Sequence, residues 1–156
     1  MPGYEVHPEE RLAELGLSVP EVAKPVAAYI PAIRTGNLVL TSGQIPVRDG
    51  TPIATGKVGA DVTPEVGVEC AQQCTLNAIA AVKAEIGDLA LVKRVVKVVV
   101  FVASAPDFTG QPAVANGASE LLGTVFGDAG IHARSAVGVA VLPLDVPVEV
   151  EIMVEI

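Results

Sequence analysis

Apolar residues along this chain change period several times, and each change marks an element. In residues 146–156 the even positions are Val146, Val148, Val150, Ile152, Val154 and Ile156, and the odd ones are Pro147, Glu149, Glu151, Met153 and Glu155. Strict alternation predicts a strand with one buried face and one polar face. Residues 92–103 are instead almost unbroken apolar and β-branched after Lys93-Arg94, with only Lys97 inside. That predicts a strand buried on both faces, or nearly so. The run 132–142 carries one arginine, Arg134, at its head, and Pro143-Leu144-Asp145 reads as the turn of a hairpin with the last strand. Residues 27–34 and 38–41 read as two more strands, joined at Thr35-Gly36-Asn37.

Helical spacing occurs in two longer segments. Thr63 supplies a cap and Pro64 a first helical residue, after which Val66, Cys70, Cys74, Ala78, Ala81 and Val82 form one apolar stripe that ends at Gly87. Pro112 opens a second helix with Val114, Ala118, Leu121, Leu122 and Val125 on one side, closed by Gly127 and Gly130. Residues 8–15 read as a short helix stopped by Gly16, and a linker with prolines runs on to Pro25. Residues 43–59 read as loop. This sets residues 1–24 apart as helix and linker, and 25–156 as one domain. Two strands, helix, strand, helix, two strands predict an α+β layer, with two main helices on one face of a mixed sheet. The other face also carries apolar side chains, and self-association is the economical way to cover it.

Composition narrows the function classes. With 51% apolar residues in 156, the chain suits one domain with a real core, and with 3% aromatics that core is built from Val, Ala, Leu and Ile. No apolar run reaches membrane-spanning length, and the first residues lack the basic-then-apolar pattern of a signal peptide, so a cytoplasmic location is expected. A formal net charge of −8 repels phosphate backbones and disfavours nucleic acid as a partner. Cys70 and Cys74 lie four apart on a predicted helix, a poor geometry for a disulfide, with no histidine nearby in sequence to complete a metal site. They read as small buried hydrophobes. No cofactor and no metal are expected.

Four segments then acquire a joint meaning. They are Gly36-Asn37-Leu38-Val39-Leu40-Thr41-Ser42-Gly43-Gln44-Ile45-Pro46, Asn77-Ala78-Ile79-Ala80-Ala81-Val82-Lys83, residues 95–102 with Asp107-Phe108, and Ala133-Arg134-Ser135 through Leu142-Pro143 to Glu149-Val150-Glu151. In this order the chain, from about Tyr29 onward, resembles the reactive-intermediate deaminase family, also called the YjgF, Rid or liver perchloric-acid-soluble protein family. The resemblance implies a six-stranded sheet with two helices, similar to chorismate mutase, assembled as a homotrimer with sites in clefts between subunits. It also implies hydrolysis of enamines or imines to 2-keto acids and ammonia.

The site residues follow from the same resemblance. Taken alone, Arg134 reads as a charge that keeps a strand edge soluble, and Glu149 as part of a solvated face with Glu151 and Glu155. The resemblance matches Arg134 to the arginine that grips the substrate carboxylate, a task suited to its planar fork. It matches Glu149 to the glutamate that handles water at the imine carbon. Tyr29 matches a tyrosine near the cleft, Ser42 and Gly43 a loop that contacts the ligand, and Asn116 an asparagine of the second helix. Two positions depart from the family. Ala136 stands where cysteine is common, leaving only its main-chain carbonyl to accept from the imine nitrogen, and Pro31 stands where glutamine is common. Three functions follow as alternatives: imine deamination, non-catalytic binding of a small carboxylate by a regulatory trimer, and the endoribonuclease or translation-inhibitor activity attributed to some relatives. Few aromatics and two histidines weigh against the third.

Overall fold

The computed structural model describes residues 3–23 and 28–156. Strand β5 (Arg94–Ala103) occupies the middle of the main sheet. Its Val95, Val98, Val100 and Val102 are fully buried under the helices, while Lys97, Val99 and Phe101 on the opposite face are only half-buried. Strand β7 (Val148–Glu155) lies antiparallel along one edge of β5, and β6 (Ala133–Val139) lies parallel along the other. Strands β2 (Leu38–Thr41) and β1 (Ala32–Thr35) continue beyond β7, so the order is β1-β2-β7-β5-β6. The alternation in β7 is as the sequence predicts: Val148, Val150, Ile152 and Val154 are buried, and the residues between them are half-buried.

Three expectations are corrected. The main sheet has five strands, not six. The remaining pair, β3 (Val47–Arg48) and β4 (Thr51–Pro52), forms a separate two-stranded hairpin. Asp49 and Gly50 at its tip have φ of 53° and 82°, the positive values that a tight mirror-image turn requires. Pro52 has no N–H to extend a ladder, which suits it to this small edge piece. The last two strands also do not pair with each other as a hairpin, because β5 lies between them. A central strand needs a partner on each edge for its backbone groups. The turn Pro143–Asp145, with Leu144 and Asp145 both at φ 58°, leads from β6 on one edge of β5 to β7 on the other. The predicted first strand begins at Ala32 rather than at Ala27, which lies outside the described residues, as does the boundary placed at residues 24–25.

Helices α2 (Pro64–Ile86) and α3 (Gln111–Phe126) cover one face of the sheet. Thr63 caps α2 by accepting from the Val66 N–H, and Gly87 ends it at φ 86°. The two helices touch at Gly117, where an added Cβ would run into the Val68 carbonyl oxygen and lie 3.1 Å from the Ala71 Cβ. A backbone atom cannot move aside as a side-chain tip can. Gly117→Ala is therefore expected to lower stability by about 1–3 kcal/mol in chemical denaturation, the range for overpacking a close contact. The short helix α1 (Pro8–Glu14) joins the same core through Leu12, which is fully buried. Around it the Tyr4 hydroxyl donates to the Val92 carbonyl at 2.5 Å, and Lys83 reaches Glu9 at 2.6 Å.

Buried Asn77 on α2 ties down the loop before β3. Its amide donates to the Ile45 and Val47 carbonyls, both at 3.0 Å, and its oxygen accepts from Gln73 at 3.1 Å. Gln73 in turn accepts from Arg48 at 3.0 Å. The stripe predicted on α2 thus contains a polar bracket as well as the apolar core.

Candidate active site

The segment after β2 is irregular for a definable reason. Leu40 pairs with Met153 and Gln44 with Val150, leaving Thr41, Ser42 and Gly43 opposite only Glu151 and Ile152. One extra residue on one strand is a β-bulge, which re-aims the side chains around it. Thr41 accepts from the Ile152 N–H at 3.0 Å. Ser42 turns the other way: its N–H donates to the Pro31 carbonyl at 2.8 Å and its hydroxyl to the Ile30 carbonyl at 2.6 Å. Beside it lies a shallow depression of about 260 Å³ whose lining includes Tyr29, Ile33 and Ser42. Gly43 is left facing Glu149, and an added Cβ there would collide with the carboxyl group, 2.8 Å from its Cδ. Only glycine allows this approach. Glu149 is half-buried, and burial, with the neighbouring Glu151 charge second, pushes its carboxyl above the usual range.

Arg134 belongs to a different cluster. It lies opposite Val98 of β5, which lies opposite Ile152 of β7, and both of those side chains are buried beneath the helices. Residues in register share a sheet face, so Arg134 points toward α3. There its Nη1 donates to Asn116 Oδ1 at 2.8 Å and to Ser119 Oγ at 3.1 Å. Among the described residues nothing accepts from Nε or Nη2, so the fork formed by those two nitrogens is free for a carboxylate. Ser119 also contacts His132 Nε2 at 2.9 Å, and His132 Nδ1 lies 2.6 Å from the Gly130 carbonyl. Ala136 follows Arg134 on the same face of β6, in register with Val100.

The seven sequence-derived residues therefore separate into two groups. Tyr29, Ser42, Gly43 and Glu149 gather at the β1–β2 end, with the carboxyl on the face that the helices leave open. Arg134, Asn116 and Ala136 gather at β6 and the helix face. Glu149 pairs with Phe101, two strands from the β6 edge and three residues along from the Ile152–Val98–Arg134 row. One chain does not bring Arg134 and Glu149 together. Ser119 and His132 were not singled out by the sequence reading. A signal for them exists: Asn116 and Ser119 are one helical turn apart, and His132, just before β6, is two residues from Arg134, so in extended chain each pair shares a face.

Cys70 and Cys74 are free thiols in the core. Burial first, then the Glu69 charge, pushes Cys70 up to about 11, and Cys74 is raised well above its ordinary value. Among the described residues no helix is long and apolar enough to cross a membrane.

The fold, an α+β sandwich of three helices on a mixed sheet, places the chain in a recognisable class, and comparison with known proteins identifies it. The family described as "YjgF/chorismate_mutase-like, putative endoribonuclease" matches residues 9–156, and the chain belongs to that family. It is 45% identical over 146 residues to the protein TCP17 of Trypanosoma cruzi, covering 93% of this chain and 91% of that protein. It is 37% identical over 129 residues to the 2-iminobutanoate/2-iminopropanoate deaminase of Escherichia coli K12, covering 81% and 85%. Among solved structures, the protein Atu1372 of Agrobacterium tumefaciens, whose function is unknown, superimposes with a TM-score of 0.90 at 45% identity, covering 96% of this chain and 92% of that one.

Proposed function

We propose that the protein hydrolyses small 2-imino acids to 2-keto acids and ammonia, in clefts formed between copies of the chain in a homotrimer. The observation that carries this reading is the guanidinium of Arg134, saturated at Nη1 by Asn116 and Ser119 and free along its Nε–Nη2 edge. That edge fits the carboxylate that every 2-imino acid carries. The relative from Escherichia coli named as an imine deaminase supports the same chemistry. The need for a second copy follows from the opposite faces occupied by Arg134 and Glu149. The open sheet face offers a surface for it, with Ile33 56% and Val137 45% exposed beside the half-buried Phe101 and Met153.

The reaction divides simply. A carboxylate bound by Arg134 fixes the imine carbon, and the Ala136 carbonyl accepts from the imine N–H. Glu149 takes a proton from water as the oxygen adds to carbon and the C=N electron pair moves onto nitrogen. Glu149 returns that proton to nitrogen, giving the carbinolamine. It then takes the hydroxyl proton and passes it to the same nitrogen as the C=O forms and the C–N bond breaks, so that nitrogen leaves as ammonia. A carboxyl raised above its usual range is better matched to this two-way transfer than an ordinary one. Tyr29 and Ser42 line the approach.

Ammonia release from 2-iminopropanoate or 2-iminobutanoate generated in situ tests the reading. Release well above the spontaneous rate is expected, together with a trimer by light scattering. A rate equal to the spontaneous one in wild-type protein that binds pyruvate would leave only the carboxylate-binding function. A related prediction concerns Gly43→Ala. The added methyl meets the tip of a flexible side chain, so Glu149 swings aside and the fold holds. Turnover should fall roughly 10- to 100-fold, the effect of about an ångström of misplacement. Stability should stay within about 1 kcal/mol of wild type by denaturation.

A further inference from the structure

We propose that Ser119 and His132 are positioning residues that fix which edge of the Arg134 guanidinium is offered to the substrate. The inference deepens the reading above and rests on it, since it takes Arg134 as the carboxylate clamp. A carbonyl oxygen only accepts, so the 2.6 Å contact with Gly130 places a proton on His132 Nδ1. In the neutral ring Nε2 is then an acceptor, and at 2.9 Å it takes the Ser119 hydroxyl proton. With that proton committed, Ser119 Oγ turns a lone pair to Arg134 Nη1 at 3.1 Å. Asn116 Oδ1 accepts the other Nη1 proton at 2.8 Å. Both hydrogens of one terminal nitrogen are thereby occupied, and the two parallel donors left over, Nε–H and Nη2–H, are the pair that grips a carboxylate side-on.

Two anchors on one nitrogen define an orientation where one would not. With Asn116 alone, the guanidinium can turn about a single hydrogen bond. Ser119 removes that freedom, and His132 keeps the Ser119 hydroxyl pointed so that its oxygen, not its proton, faces the arginine. Neither residue touches the substrate position. Their effect should fall on binding rather than on the chemical step.

The test is calorimetric affinity for pyruvate and steady-state deaminase kinetics in Ser119→Ala, Ser119→Thr, His132→Phe and Arg134→Lys. Ser119→Ala and His132→Phe should each weaken pyruvate binding and raise KM about tenfold, the loss of one charge-assisted anchor, with kcat within about twofold. Ser119→Thr keeps the hydroxyl and should restore binding. Ser119→Ala should add nothing in the Arg134→Lys background, where no fork remains to be oriented. Wild-type affinity in Ser119→Ala and His132→Phe, beside weak binding in Arg134→Lys, would overturn the positioning role and leave the carboxylate clamp standing. Wild-type affinity in Arg134→Lys would remove the clamp itself. A loss in Ser119→Ala that Ser119→Thr does not restore, or that tracks a fall in Tm, would make Ser119 a packing residue and overturn the proposal too.

Discussion

Arg134→Lys should lose most of its affinity for 2-oxo acids although it keeps its positive charge. A lysine ammonium is a point donor and cannot present two parallel N–H groups to a carboxylate. The expected loss is roughly 1–3 kcal/mol, as for charged hydrogen bonds in general. An arginine that only solubilised the β6 edge would tolerate the change within about 0.5 kcal/mol. Calorimetry with pyruvate or 2-oxobutanoate distinguishes the two, once circular dichroism shows the same fold.

Glu149→Gln should act on the other half of the chemistry. The amide keeps size and some hydrogen bonding but cannot take a proton from water, so kcat should drop about 10²- to 10⁴-fold while pyruvate binding is largely kept. The pH dependence has a defined sign. Burial and Glu151 raise the folded-state carboxyl above the value it has when unfolded. Between the two values the folded chain holds more protons, so this group makes stability fall as pH rises through that window. At neutral pH the charged Glu149 is a cost to the fold, and Glu149→Gln should be as stable as wild type or slightly more so in denaturation. Turnover in wild type should rise with pH through a limb placed above the ordinary carboxylate range, and Glu149→Gln should lack that limb. Loss of turnover accompanied by loss of stability would point to a structural role instead.

These expectations draw on features of unequal visibility in the sequence. Strand β5, the alternating β7 and the two main helices are local patterns, and their existence read correctly because period and helix termini are local physics. The burial of β5 on both faces did not, since only the side under the helices is fully buried. Nor did the pairing of β6 and β7, since a short turn between two apolar runs looks like a hairpin whether or not a third strand takes the place between them. Counting elements along the chain gives the five strands of the main sheet; the sixth came from the family resemblance, and the residues around Asp49-Gly50 spend themselves on a separate hairpin. The bulge that aims Gly43 at Glu149 depends on register across two strands and leaves no mark in either alone. Arg134 and Asn116 were visible through the resemblance. Local spacing puts Ser119 on the face of Asn116 and His132 on that of Arg134, but the contact between the two pairs depends on how α3 lies over β6, which no local pattern encodes.

The separation of Arg134 from Glu149 has the most direct consequence for function. If each site takes its arginine from one copy and its glutamate from the next, two inactive variants can repair each other. Arg134→Lys and Glu149→Gln chains, co-expressed with different tags and purified as mixed oligomers, should regain deaminase activity. In a randomly mixed trimer, about a quarter of the sites would hold both wild-type groups. Ammonia release from 2-iminopropanoate by the mixed oligomers is therefore expected far above that of either parent. Activity no greater than the average of the two parents would contradict a site shared between copies.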